Sequence, residues 1–310
     1  MKIRELPARV LYKIGNKLVK ISNRQPRPSR FVTCFPPGHY YNALPDEAFV
    51  DGNAATLFKN PVSVPGIDLN LSGQRQLVAE LLEYAGDYTP ALTAETGDGR
   101  RRFYSSNPLY KEKDAYFYYA MLRRFQPKRV VEVGSGFTSA LAVEVCERFV
   151  NPQPQFVFVD PDPERLHALF PKNTRANVSI LEMPVQQADK GLFLQLEAKD
   201  FLFIDSSHVS KIGSDVNYLY FEVLPLLKKG VIIHVHDILW PFEYPKHWLD
   251  EGRSWNEAYL LRGLLSDSSR YRILCSVSYL ARQQVDLLKK LPSWAAQDQL
   301  SSSIWLEVVA

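Results

Sequence analysis

Cysteine is scarce in this chain of 310 residues: Cys34, Cys146 and Cys275 are all there is, and no two form a CxxC pair. That argues against a disulfide framework and a zinc cluster, and it fits a reducing compartment. No apolar run approaches the roughly 20 residues needed to span a bilayer. The basic N-terminus lacks the uninterrupted apolar core of a signal peptide, so the expected location is the cytoplasm. Internal repeats are absent. An excess of basic charge is also missing from most of the chain. Residues 1–30 carry nine Lys or Arg against the single Glu5, a net of +8 in a chain whose total is +3, which leaves the remainder at −5. An acidic body argues against an extended nucleic-acid groove, whose affinity would rest on phosphate neutralisation.

Hydrophobic residues make up 46% of the chain and charged residues 23%, the balance of a globular protein with a sizeable core. Three segments follow from the pattern. In residues 1–30, Leu6, Val10, Ile14 and Leu18 are spaced as on one face of a helix. The basic other face of this segment (1–23) suits either an anionic membrane surface or packing on the same chain or a neighbouring subunit. Residues 31–110 read as a capping extension: irregular, rich in proline and aromatics, with one helix in "SGQRQLVAELLEYAG" opened by Ser72 and closed by Gly86. From 111 to 310 helices alternate with near-continuous apolar strands, which predicts a parallel sheet covered on both faces. The strands are "RVVEV", "QFVFVD", "VSILEM", "DFLFID" and "GVIIHVHD"; two final runs, "YRILCSVSYL" and "SSIWLEVV", read as an antiparallel pair with no convincing helix between them.

Ligands of open α/β sheets bind beyond the carboxyl ends of the strands. There this chain places Glu132 with the turn Gly134-Ser135-Gly136 and Thr138, then Asp160, then Gln186 and Gln187, then Asp205, Ser206, Ser207 and His208, and finally His236 and Asp237. Glycines at 134 and 136 allow a sharp turn and close approach of backbone to ligand. Asp160, 26 residues after Gly134, is placed to accept from ribose hydroxyls. NAD and S-adenosylmethionine (SAM) both satisfy that pattern. Ser139 where a dinucleotide site wants its third glycine, the carboxylate of Glu132 beside the loop, and the antiparallel end of the sheet favour SAM.

The stretches "VVEVGSGFTSA", "DFLFIDSSHVSKIGSDV", "HVHDILWPFEYP" and "GRSWNEAYLLR" resemble the class I SAM-dependent methyltransferases, and residues 129–262 are similar to the methyltransferase-24 type of bacterial proteins; "PPGHYYNALPD" at 36–46 is similar to that group's N-terminal segment. The resemblance implies a Rossmann-like α/β sheet of seven strands in the order 3-2-1-4-5-7-6. It also implies methyl transfer and SAM contacts from Glu132, Gly134, Gly136 and Asp160, with Ser135, Thr138, Gln186 and Asp205 as further candidates; taken together with a candidate metal site, it points to a small-molecule or glycan hydroxyl as acceptor.

Asp205, His208, Asp215, His236 and Asp237 offer oxygen and imidazole groups of the kind Mg²⁺ or Mn²⁺ accepts. Asp205, His236 and Asp237 end adjacent strands and form the expected ligand set. Metal-dependent sugar and catechol O-methyltransferases resemble this, yet His236 or Ile238 stands where a second acidic or amide ligand is expected. The alternative is a metal-free site in which Asp205 and His208 orient the acceptor. His208 and His236 are the candidate bases, because an imidazole titrates near neutral pH; His234, within its strand, reads as core. Trp240, Phe242, Tyr244, Trp248 and Trp255 fall within 16 positions after the fifth strand. They read equally as a lid with flat faces for an acceptor, in which Trp240, Tyr244 and Trp255 would touch it, or as a satellite core; His39 and Tyr40 are candidates to close the pocket. Two further readings are an NAD-linked oxidoreductase and a degenerate SAM-binding interaction module.

Overall fold

The structure, a computed structural model, describes residues 35–92, 102–170, 177–291 and 301–310. The basic segment 1–30, with the helix expected over 1–23, lies outside the described residues. The chain divides into two compact units, one reaching Lys59 and including Pro245–Ser254, the other comprising Asn60–Tyr244 and Trp255–Ala310. The boundary between the units falls within the expected capping extension over 31–110. Among the described residues no helix is long and apolar enough to cross a membrane.

In the first unit, Glu47–Gly52 is a helix because Asp46 caps it, accepting the N–H of Phe49 at 2.8 Å. Lys246 ties this helix to Lys246–Asp250, with Nζ 3.1 Å from Asp51 and 2.9 Å from Asp250.

The second unit holds strands β1 (Arg129–Val133), β2 (Gln155–Val159), β3 (Asn177–Leu181), β4 (Phe201–Ile204), β5 (Ile232–Val235), β6 (Tyr271–Ser276) and β7 (Ile304–Val308). Its main helices are α1 (Leu71–Leu81), α2 (Glu112–Phe125), α3 (Phe137–Phe149), α4 (Glu164–Leu169), α5 (Asp215–Tyr218), α6 (Glu257–Leu265) and α7 (Val277–Gln283). The strand order is β3-β2-β1-β4-β5-β7-β6, as expected, with β7 antiparallel to both of its neighbours. β4 and β5 are buried along their whole length, which is why they read as apolar runs without alternation.

Register positions the site. Val133 pairs with Val159 and Ile204, and Ile204 with Val235, so four parallel strands end at one level. The next residues continue the ladder: Gly134 N–H donates to the Val159 carbonyl (3.0 Å), Asp205 N–H to Val133 (2.9 Å) and His236 N–H to Ile204 (2.9 Å). The polar residues that follow each strand are thereby held side by side.

Two elements differ from the sequence reading. The run "YRILCSVSYL" is strand only to Ser276 and then turns into α7, so a helix does separate the last two strands. Residues from Cys275 to Leu280 are all buried, and a short run buried on every side carries no period to distinguish strand from helix. Helix α1 begins at Leu71 without a side-chain cap from Ser72. The preceding Asn70 sends its amide across to the Ile273 carbonyl (2.9 Å), and Gln74, fully buried, accepts the Ser276 N–H (2.8 Å). These two side chains cover the open edge of β6, which would otherwise present unpaired backbone groups.

Candidate functional site

The loop after β1 is built around Glu132. Its side chain is fully buried and accepts from the Ser139 hydroxyl at 2.7 Å and from the Thr138 hydroxyl, while Ser139 Oγ also accepts the Gly136 N–H at 3.0 Å. Ser139 thus stands where a dinucleotide loop needs glycine because its hydroxyl bridges the carboxylate and the turn. Burial pushes the Glu132 carboxyl up to about 8, against the lowering effect of both hydroxyls. Gly134 has φ +81°, and a Cβ there would stand 1.8 Å from the Asp205 carbonyl oxygen, so only glycine fits. Gly136 is under no such constraint: its backbone is extended, and a Cβ would meet the flexible Arg165 at 3.3 Å. Ser135 N–H donates to Asp160 Oδ2 (2.8 Å), and Asp160 Oδ1 accepts from Asp162 N–H (2.8 Å).

A cavity of about 150 Å³ opens at this loop, lined by Gly134, Ser135, Gly136, Thr138, Asp160 and Asp205. Tyr110 and Arg165 line it too, and the sequence reading missed both. Arg165 follows Asp160 by five positions at the start of α4; Tyr110 precedes α2 and had no motif to mark it. Two expected cofactor residues stand elsewhere. Glu132 lies beneath the loop and supports it, and the Gln186 amide is bound to the Gly213 carbonyl at 2.8 Å. Neither lines the cavity.

Beside the cavity, Asp205, His208 and Asp237 offer one ligand atom each, all within 4.8 Å of one another. His208 Nε2 is 3.3 Å from Asp205 Oδ1 and 3.5 Å from Asp237 Oδ2, and its Nδ1 is 2.8 Å from Glu257 Oε2. The left-handed backbone at His208 (φ +59°) turns this ring back over the rim. His208 joins the two aspartates in this group, and His236, the histidine expected there, stands beside the same pair. The His236 ring stands 5.2 Å from Tyr110, its Nδ1 is 3.6 Å from Asp205 and 3.4 Å from Asp237, and neither ring nitrogen has a hydrogen-bond partner among the described residues. Glu257, fully buried on α6, was the other residue sequence reasoning missed.

Neither histidine is poised near neutral pH. Burial pushes the His208 imidazole down, but Asp205 and Glu257 outweigh it and hold the ring well above its usual range. Burial likewise lowers His236, while the charges of Asp237 and Asp205 carry it to about 9. Asp237 is pushed up by burial and brought well below the usual carboxylate range by His236 and His208. His234 is fully buried, stacks on Phe203 at 3.9 Å and is held neutral by burial, the core role expected of it.

The aromatic segment sorts into core and rim. Trp240 is 2% exposed, its indole N–H donates to the Pro61 carbonyl (2.6 Å) and its backbone N–H to Ser278 (2.7 Å). Tyr244 is buried with its hydroxyl accepting the Ala258 N–H at 3.1 Å. Both are packed inside. Trp255 is half-buried and its ring lies 4.3 Å from that of His208. His39 belongs to the first unit, where it stacks between Phe35 (4.2 Å) and Tyr40 (4.3 Å).

A family model described as a methyltransferase domain matches residues 131–238. An uncharacterized protein of Archaeoglobus fulgidus is 32% identical over 171 residues, which cover 53% of this chain and 74% of that relative. The chain belongs to the class I SAM-dependent methyltransferase family. Among solved structures, the methyltransferase is similar to the S-adenosylhomocysteine-bound PaMTH1 of Podospora anserina (16% identity, TM-score 0.41, 90% of this chain and 100% of the other). It is also similar to an O-methyltransferase of Bacillus cereus bound to the same product (13% identity, TM-score 0.38, 85% and 97%). In the methyltransferase the matched region starts within β1 and ends beside Asp237, so it takes in the glycine loop, Asp160 and the Asp205–His208–Asp237 trio.

Proposed function

We propose that the protein transfers the methyl group of SAM to a hydroxyl oxygen of a small-molecule or glycan acceptor in the cytoplasm, with a divalent cation such as Mg²⁺ or Mn²⁺ held by Asp205, His208 and Asp237. The observation that carries this reading is the double membership of Asp205, which lines the cavity under the glycine loop and is also one of the trio. Donor and acceptor sites that share a residue are close enough for in-line transfer.

The donor set of two carboxylates and one imidazole fits a divalent cation in charge and ligand type. When bound, the cation would supply Lewis acidity, lowering the pKa of an acceptor hydroxyl. Glu257 holds the proton on His208 Nδ1, so that a cation displacing the second proton would find Nε2 facing both aspartates. Each Asp160 oxygen holds one backbone N–H and keeps lone pairs for the ribose hydroxyls. Asp160 and Asp205 give the cavity the negative charge that a sulfonium and an ammonium call for. Ser135 Oγ, buried without a partner among the described residues, is a further hydrogen-bonding group for the donor. Trp255 gives the acceptor a flat apolar face beside the trio. His236 carries the acceptor's proton away once the charges of Asp205 and Asp237, which hold it near 9, are neutralised.

Calorimetric titration of the full chain with SAM, its demethylated product and NAD, each with and without EDTA, tests the reading. SAM and its product bind and NAD does not, while EDTA leaves SAM binding intact and removes the binding of a catechol or sugar hydroxyl analogue. Binding of NAD, or none of SAM, overturns the donor assignment; analogue binding that survives EDTA overturns the cation.

A further inference from the structure

Strand β7 runs against its neighbours, so it brings its first residues to the rim where the parallel strands bring their last: Ile304 pairs with Val235. The residues just before β7 therefore face those just after β5. Ser302 is 4% exposed there and grips the end of β5 twice. Its hydroxyl donates to Asp237 Oδ1 at 2.8 Å, and its carbonyl accepts the Ile238 N–H at 2.7 Å. Ser302 is itself anchored, because its N–H donates at 3.0 Å to Oδ2 of Asp114, a fully buried carboxylate on α2 whose other oxygen accepts from the Ser303 hydroxyl. Asp237 needs such support. Its backbone is in the left-handed region (φ +55°), and its remaining oxygen, Oδ2, is the one 3.5 Å from His208 Nε2.

We infer that Ser302 is a positioning residue that fixes the Asp237 carboxylate with Oδ2 turned toward the cation shared with Asp205 and His208. The inference rests on the cation reading above. A carboxylate tethered through one oxygen presents the other in a single orientation, and loss of such a tether around a metal weakens binding by about 10–100-fold.

The test is a titration of the full-length protein with MnCl₂ followed by electron paramagnetic resonance, alongside a SAM titration of the same samples. Ser302→Ala weakens Mn²⁺ by about 10–100-fold with SAM affinity unchanged. Ser302→Thr, which keeps the hydroxyl, binds Mn²⁺ more tightly than Ser302→Ala. Ser303→Ala removes an adjacent buried hydroxyl that bonds Asp114 and not Asp237, and leaves Mn²⁺ affinity near that of the unaltered chain. Equal Mn²⁺ affinity in Ser302→Ala and the unaltered chain, equal weakening by both alanine variants, or parallel loss of SAM overturns the role of Ser302 alone. Absence of Mn²⁺ binding by the unaltered chain overturns the cation reading and this inference with it.

Discussion

The two glycines of the loop look alike in the sequence, and the structure separates them. Gly134 is forced by a positive φ and by the Asp205 carbonyl, whereas a Cβ at Gly136 would meet only the flexible Arg165 side chain. Gly134→Ala therefore costs on the order of 3 kcal/mol of stability and abolishes SAM binding, since relief of the clash must shift the end of β1 or β4. Gly136→Ala costs less than about 1 kcal/mol. Chemical denaturation and SAM titration of the two variants check the contrast, and equal effects would refute it. Residue types at the rim were legible because strand ends deliver polar groups whatever the loops do. That His208 would stand with Asp205 and Asp237 as closely as His236 does was not legible: His236 continues β5 directly, but His208 comes there through a left-handed residue that no pattern announced.

At the scale of elements, β1, its loop and α3 behave as one piece, since Glu132 on the strand holds Thr138 and Ser139 on the helix. That arrangement predicts a pH dependence. The Glu132 carboxyl sits at about 8 in the folded chain against an ordinary 4.5, so between these values the folded state holds a proton that the unfolded state has released. Its contribution to stability is present in full below pH 4.5 and is lost as pH rises through 8, a change on the order of a few kcal/mol. Glu132→Gln, which cannot ionise, removes this slope. Urea denaturation of both proteins at pH 5, 6.5 and 8 with EDTA present measures it; the stability of the unaltered chain relative to the variant falls across the series, and a constant difference would mean that Glu132 is ionised throughout. The strands themselves were legible from their apolar runs. Helix α7 was not, because it follows β6 without a break and is buried nearly as completely. The cover on the β6 edge was hidden for another reason: Asn70 and Gln74 act about 200 residues along the chain from Ile273 and Ser276.

At the scale of the whole molecule, the parallel order of the first five strands follows from helix alternation, and the place of β7 between β5 and β6 came with the family resemblance. The division at Lys59 had no sequence marker, because "KNPVSVPG" continues the irregular composition on both sides. The consequence of this layout is that the cavity at the glycine loop, the proposed donor site, draws on residues from Leu109 to Asp205, beyond the ends of β1, β2 and β4. A ligand held by β1, α3, β2 and β4 together binds only when the sheet is assembled, so its binding energy adds to the stability of the second unit. SAM at about 100 times its dissociation constant adds roughly 2.7 kcal/mol. For a unit of this size that raises the melting temperature by about 5–10 °C. NAD at the same concentration leaves it unchanged on the SAM reading, since Ser139 stands where a pyrophosphate loop needs its third glycine. Asp160→Ala, which removes both the Ser135 tether and the proposed ribose acceptor, loses most of the SAM-induced shift while keeping the product and donor responses equal to each other. Differential scanning calorimetry of the full chain decides it: a SAM shift confined to the unaltered loop supports a donor site built across the sheet, and a shift that survives Asp160→Ala undiminished places the donor elsewhere.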